Sequence, residues 1–247
     1  MDNIAIISDI HGNIPALEAV LEDIGNKGIK RIFCLGDMVG KGPFPEKAVD
    51  IVKKSCELVV KGNWDKFITE GKSFDIEVGL WNINKLGAER MDYLSRLPLF
   101  IEFYMSGKLV RLFHASSDDV FKRVQATAPI EEKLALFKAP ILSRECGCLD
   151  SDVVGYGDIH NAYAQNFRGK AIFNVGSVGN PLDIPQASYS IIEGMYGDKQ
   201  LGSISTSLVR VPYNIEKAVR EAQGENMPEV NEFVNELRTA RYRGLNK

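Results

Sequence analysis

Three short apolar runs, residues 4–7, 31–35 and 58–60, are separated by two stretches of helical character, 14–27 and 45–54. That alternation leaves few architectures open. Strand, helix, strand, helix, strand in this order is a βαβαβ pattern, which predicts a parallel sheet with helices packed on it. Pro15 suits the first turn of the first helix, where a missing N–H costs nothing, and Leu17, Val20, Leu21 and Ile24 recur at helical spacing. One face of that helix is therefore expected to cover the sheet.

The pattern then changes. Residues 65–97 read as a helical insertion, with Leu80, Ile83, Leu86 and Met91 as its apolar stripe. Beyond Pro98, runs 99–104 and 108–114 flank Ser106-Gly107, which predicts a hairpin. A helix over 130–137 is followed by strands over 153–156, 163–167, 171–175, 188–192 and 203–211. Segments 215–222 and 230–241 are amphipathic and charged, the pattern of a solvated helical cover. With no repeat, low-complexity stretch or linker, residues 1–247 read as one α/β domain with a helical insertion at about 65–97 and a C-terminal cover at about 215–241.

A formal net charge of -3 and a pI near 5.7 provide no bulk attraction to nucleic acid, so any phosphate must be held by local chemistry. Met1 and Asp2 lead straight into a strand-like run without a basic, apolar or cleavage signal, so a cytoplasmic protein without a membrane span is expected. Cys34 and Cys56 sit in apolar runs and read as small buried hydrophobes. Cys146-Gly147-Cys148 reads as a plain loop in preference to a metal or redox site.

Residues that carry chemistry gather at strand ends. Asp9, His11 and Asn13 follow the first strand, Asp37 follows the second within Leu35-Gly36-Asp37, and Asn63 follows the third. In parallel sheets ligands collect at these carboxyl ends. The chain has only three histidines, His11, His114 and His160, and each closes a strand. Imidazole with carboxylate suits Zn, Fe or Mn, and this carboxylate-rich mixture leans toward Mn or Fe.

Ser8-Asp9-Ile10-His11-Gly12-Asn13, Gly36-Asp37-Met38-Val39-Gly40, Gly62-Asn63-Trp64-Asp65, His114 and Gly157-Asp158-Ile159-His160 resemble, in order, the motifs of the calcineurin-like metallophosphoesterases. Asn174-Val175-Gly176-Ser177-Val178-Gly179-Asn180-Pro181 resembles a later signature of their small bacterial and archaeal phosphodiesterase branch. The resemblance implies a four-layer α-β-β-α sandwich of two mixed sheets, with two divalent metal ions at one rim. These are Mn or Fe first, with Zn or Ni as alternatives. It implies Asp9, His11 and His160 at the first metal, Asp37 as the bridge, and Asn63 and His114 at the second, with Asp37, Asn63 and His114 closest to the chemistry. The implied reaction is attack on a phosphodiester or phosphoanhydride by a metal-bound water. The substrate would be a phosphorylated small molecule or nucleotide, with dinucleoside polyphosphates among them.

The chain departs from that pattern in several places. Asp158 stands where the family has the second metal's last histidine, and is expected either to bind through oxygen or to fall short. Trp64 replaces the histidine that helps protonate the leaving group, and either packs over the site or stacks on a base. Lys41 and Asn13 are candidates for contact with substrate phosphate, while Leu182 stands where relatives often have Arg. The alternative readings are a phosphomonoesterase or protein phosphatase, or a catalytically weak metal-binding scaffold of the same fold.

Overall fold

The N-terminal alternation builds one side of a sheet. β1 (Asp2–Ile7), β2 (Arg31–Cys34) and β3 (Leu58–Val59) pair in parallel, with Ile7 opposite Cys34 and Cys34 opposite Val59. The crossovers are α1 (Ile14–Asn26) and α2 (Pro45–Ser55). β9 (Ala187–Gly194) pairs antiparallel with β1, and β10 (Ser205–Val211) closes that edge. The computed structural model describes residues 1–70, 76–141 and 149–246, so the Cys146-Gly147-Cys148 loop lies outside the described residues, as do 71–75 of the expected insertion.

A second sheet runs β4 (Phe100–Met105), β5 (Lys108–Phe113), β6 (Val153–Tyr156), β8 (Lys170–Asn174), β7 (Tyr163–Phe167), with β5, β6 and β8 parallel and both edges antiparallel. The predicted hairpin turn has φ of 48° at Ser106 and 77° at Gly107, as a two-residue turn between twisted strands requires.

Packing explains why β1 is an unbroken apolar run. Ile4 and Ile6 enter the core between the sheets beside Phe33, Leu112, Phe173 and Val175, while Ala5 and Ile7 meet Leu17, Val20 and Val49 of the helices. A strand buried on both faces has no polar side to alternate with. Phe113, Tyr156 and Ile172 on the outer face of the second sheet are covered by Leu136 and Phe137, just after α5 (Ile130–Ala135). Arg111 is wholly buried there, donating to Glu102 Oε1 at 2.6 Å, Lys138 O at 2.7 Å and Leu149 O at 2.7 Å, so its charge is paired and hydrogen-bonded.

The insertion is α3 (Asn63–Thr69) and α4 (Glu77–Ser95), and Ile83, Leu86 and Met91 of the expected apolar stripe pack on the core. Val78, Asn82, Leu86 and Leu94 face inward, whereas Leu80 is 40% exposed. Gly87, at φ 69° and ψ 170°, breaks the helix and resets its phase. The buried polar residue is committed to the loop after β2: Asn82 donates to Gly40 O at 2.9 Å and accepts from Gly40 N at 3.0 Å. The C-terminal helices α6 (Ile215–Gly224) and α7 (Val230–Thr239) share a small core of Ala218, Val219, Phe233 and Leu237. Among the described residues, no helix is long and apolar enough to cross a membrane.

Candidate metal centre

The loops leaving β1, β2, β6 and β8 are tied to one another by backbone hydrogen bonds. Asp9 N donates to Gly36 O at 3.0 Å, His11 N to Asp37 O at 3.0 Å, and Val178 and Gly179 N to Ser8 and Asp9 O at 3.0 and 2.9 Å. Asp158 N donates to the Asp9 carboxylate at 3.1 Å. The two sheets therefore deliver their parallel strand ends to one rim. Asp9, His11, Asp37, Asp158 and His160 all have positive φ, between 48° and 65°. Left-handed backbone at non-glycine residues is strained, and it persists only where surrounding contacts over-determine it, commonly at functional sites.

Two groups of ligand atoms result, Asp9 with His11 and His160, and Asp9 with Asp37 and His114, all buried. The imidazoles are oriented from behind. Nδ1 faces a backbone carbonyl in each ring: Val39 O at 2.8 Å from His11, Asn180 O at 2.5 Å from His160, and Leu35 O at 2.8 Å from His114. A carbonyl only accepts, so Nδ1 carries the hydrogen and Nε2 of a neutral ring presents its lone pair. His11 Nε2 and His160 Nε2 face each other at 3.2 Å, and Asp9 Oδ1 lies 3.8 and 3.2 Å from them. Burial, followed by the charge of His160, holds the His11 ring well below its ordinary pKa and therefore neutral. Asp9 Oδ1 is itself buried without a hydrogen-bond partner among the described residues. The lone pair of His11 beside a buried carboxylate oxygen makes a poor resting arrangement alone and a good one around a cation.

The second group makes the same demand. Burial and the charges of Asp9 and Asp65 push the Asp37 carboxyl well above its usual range, opposed by His114. Burial also raises Asp9, but His160, His114 and His11 overcome it and hold that carboxyl low and ionised. His114 moves the other way: burial disfavours its charge, yet Asp37, Asp9 and Asp158 lift it to about 9. The carboxylates thus draw positive charge onto the nearest ring, which places its Nε2 3.0 Å from Asn63 Oδ1 and 3.5 Å from Asp37 Oδ1. The donor set, carboxylate oxygen, amide oxygen and imidazole, fits divalent transition metals. Asp9 belongs to both groups, and Asp37 reaches a ring of each, His11 at 3.7 Å and His114 at 3.5 Å.

A family model for the calcineurin-like phosphoesterase superfamily domain matches residues 3–194. The chain belongs to this superfamily. An uncharacterized protein of Methanocaldococcus jannaschii is 33% identical over 254 residues, spanning 92% of this chain and 94% of that one. The crystal structure of a metallophosphoesterase from Sphaerobacter thermophilus aligns with a TM-score of 0.71 at 25% identity, covering 97% of this chain and 99% of the other. A hypothetical protein from Pyrococcus horikoshii shares the fold, with a TM-score of 0.73 at 19% identity over 96% and 98% of the two chains.

The calcineurin-like motifs are braced by residues that play no direct part in the clusters. Asp65, wholly buried, accepts from Asp37 N at 2.9 Å, Met38 N at 3.2 Å and Gly62 N at 2.9 Å, so it clasps the loop after β2 to the start of α3. That contact is close: a Cβ on Gly62 would lie 2.1 Å from Asp37 Oδ1 and 2.2 Å from Asp37 N. Gly62→Ala is therefore expected to displace the Asp37 loop and destabilise the fold by about 1–3 kcal/mol. Thermal melts with and without Mn²⁺ check it. An unchanged melting temperature with full metal-induced stabilisation would show that the loop yields freely.

The residues expected to meet substrate fare differently. Trp64, Lys41, Asp158 and His160 line a cleft of about 610 Å³ that opens from Asp37 and Asn63. Asn13 does not line it. Its oxygen caps α1 by accepting from Ala16 N at 3.3 Å and its amide donates to Gly179 O at 2.8 Å, so a helix start has claimed the side chain. Trp64 packs edge-on to His11 and Phe67, with ring centroids at 6.5 and 5.7 Å, and remains half-buried on the cleft wall. Asp158, expected either to bind metal through oxygen or to fall short, is held by Arg123, Nε to Oδ2 at 2.9 Å and Nη2 to Oδ1 at 2.7 Å. It belongs to neither ligand group.

Lys41 donates to Asn180 Oδ1 at 2.7 Å and lies 3.8 Å from Glu236 Oε2; burial, opposed by Glu236, lowers it to about 8. Glu236, wholly buried on α7, also accepts from Asn180 Nδ2 at 3.1 Å and from Arg243 Nε at 2.9 Å. Because Asn180 O holds His160, the C-terminal cover reaches a candidate ligand through two hydrogen bonds. Tyr242 and Arg243 line the cleft as well, although they lie beyond the matched residues. The cover is thus more than a solvated face. Its charged pattern concealed this role, and a glutamate on the apolar side of α7 was the available signal.

Proposed function

We propose that this protein hydrolyses phosphodiester or phosphoanhydride bonds of a phosphorylated small molecule or nucleotide, using two divalent ions, Mn or Fe in preference to Zn or Ni. The supporting observation is the pair of ligand groups sharing Asp9 at the base of a cleft of about 610 Å³ whose wall includes Trp64 and the cations Lys41, Arg123 and Arg243. Asp9, His11 and His160 would hold the first ion; Asp37, Asn63 and His114, with Asp9, would hold the second. When bound, such ions polarise phosphoryl oxygens and bring the pKa of a water toward neutrality.

The chain's own residues do the rest. The three backbone carbonyls behind the imidazoles fix where each Nε2 points, which makes the ligand set preorganised. Asn63 contributes oxygen without charge, and the cleft wall carries the N–H donors of Lys41, Arg123 and Arg243, each beside a protein carboxylate, toward an incoming phosphate. Trp64 has no proton to give at neutral pH, which disfavours poor leaving groups and with them the phosphomonoesterase reading. A scaffold needs neither an orphaned buried carboxylate oxygen nor opposed Nε2 atoms. The test is to strip metals with chelator, reload separately with Mn²⁺, Fe²⁺, Zn²⁺ and Ni²⁺, and compare bis(p-nitrophenyl) phosphate, p-nitrophenyl phosphate and nucleotides. Metal-dependent turnover favouring diesters or anhydrides is expected. Equal turnover in the stripped protein, or turnover of monoesters alone, would reject the reading.

A further inference from the structure

We propose that Arg123 is the residue that grips the substrate phosphate, and that Asp158 is the positioning residue that aims it. The inference rests on the phosphoesterase reading and adds a site residue that no motif indicates. The guanidinium is held side-on: Nε and Nη2 each donate to one oxygen of Asp158, at 2.9 and 2.7 Å. A guanidinium has five N–H donors in a rigid plane, so a side-on carboxylate leaves the end-on Nη1–Nη2 edge available. Among the described residues, no hydrogen bond is made by Nη1, and the Arg123 side chain is 45% exposed while lining the cleft. An end-on edge of this kind matches two phosphate oxygens.

Both partners are anchored. Asp158 is almost wholly buried and its N–H is bonded to Asp9 Oδ2 at 3.1 Å, which registers the carboxylate to the metal-ligand loop. Its Oδ1 lies 3.9 Å from His114 Nε2, so the guanidinium stands one carboxylate away from the second ligand group. Behind Arg123, Val124 is buried and its carbonyl accepts from the Tyr156 hydroxyl at 2.8 Å. The arginine therefore projects from a fixed point. Charge supports the arrangement too. A third free carboxylate beside Asp9 and Asp37 would repel phosphate, whereas Asp158 neutralised by Arg123 adds no net charge and turns a cation toward the cleft. Leu182, on the same cleft, brings none.

The experiment uses Mn²⁺-loaded full-length wild type, Arg123→Gln, Arg123→Lys and Asp158→Asn, each checked by thermal melt. Metal content is measured, inorganic phosphate affinity is determined by titration calorimetry, and KM is separated from kcat on a diester. Arg123→Gln is expected to retain wild-type metal content and to bind phosphate about 10- to 100-fold more weakly. Arg123→Lys should recover only part of that loss, since an ammonium lacks the planar fork. Asp158→Asn should also keep its metal and weaken phosphate binding, with KM rising more than kcat falls. Unchanged phosphate affinity in Arg123→Gln would reduce the pair to a structural ion bridge. Loss of metal in Asp158→Asn would move Asp158 into the metal shell and overturn the assignment. A wild type that holds no metal would reject the phosphoesterase reading itself, an outcome separate from the other two.

Discussion

Replacing Asp9 by Asn is expected to lower turnover by about 10³–10⁴-fold, since Lewis-acid stabilisation of phosphoryl charge is worth several kcal/mol and each 1.36 kcal/mol is tenfold. Asp9 is the residue common to both ligand groups, so losing its charge weakens both ion positions at once. The substitution is also structurally clean. Oδ2 accepts from Asp158 N at 3.1 Å, a bond the amide oxygen of Asn can keep, while the orphaned Oδ1 position takes the NH₂ group and points a donor at His160. The apo variant should therefore fold and melt within a few degrees of apo wild type. A ligand that binds only the native state stabilises it by about 2.7 kcal/mol at 100 times its Kd. Wild type should show a metal-induced rise of that kind in its melting temperature and Asp9→Asn should show none. Full metal content and turnover in Asp9→Asn would mean that the shared oxygen holds no ion. Asp37→Asn should follow closely, because Asp37 reaches His11 and His114 but also supports α3 by accepting from Trp64 N at 2.8 Å.

The order of the fold could be read almost element by element, because the relevant signals are local. β6 and β7 occupy the expected spans, and both sheets place the predicted Asp and His residues just past strand ends. The strand at 4–7 could not be assigned a face from its pattern, since burial on both sides erases alternation. What stayed hidden depends on distant pairing. Arg123 lies 35 residues from Asp158 in the chain, and nothing in either local pattern marks the other. Glu236 is 56 residues from Asn180 and sits among the charges of an amphipathic helix. Of the four stripe residues of α4 only Leu80 faces outward, because Val78 takes the inward place one turn before Asn82. Asn13 suits two roles at one place, phosphate contact and helix cap, and its hydrogen bonds are those of the cap, which Pro15 just beyond it favours.

Turnover is expected to depend on the leaving group, because Trp64 lacks a proton to give it. A positioned general acid contributes about 10²–10⁴-fold, or roughly 3–5 kcal/mol, and indole cannot supply it. An alkoxide from a sugar or serine phosphate needs that proton, whereas a nitrophenolate or a nucleoside phosphate leaves acceptably as an anion. Rates of wild type plotted against leaving-group pKa should therefore fall steeply. Trp64→His puts a titratable ring on the cleft wall, and its plot should be shallower. Asp65 cannot assist that ring, because its oxygens already accept from Asp37, Met38 and Gly62 backbone N–H groups. The gain is then expected toward the lower end of the general-acid range. For base-bearing substrates the substitution should also remove stacking on the indole, worth about 1–3 kcal/mol on aromatic platforms of this kind, so nucleotides should lose rate, nitrophenyl esters should change little and alkyl esters should gain. The competitor is Lys41, which lines the same cleft and which burial brings to about 8, within reach of acid–base work. Lys41 is tied to Asn180 and lies near Glu236, so its proton is already shared with protein acceptors. A flat plot in the wild type that turns steep in Lys41→Met would assign the proton to Lys41 and remove Trp64 from the account.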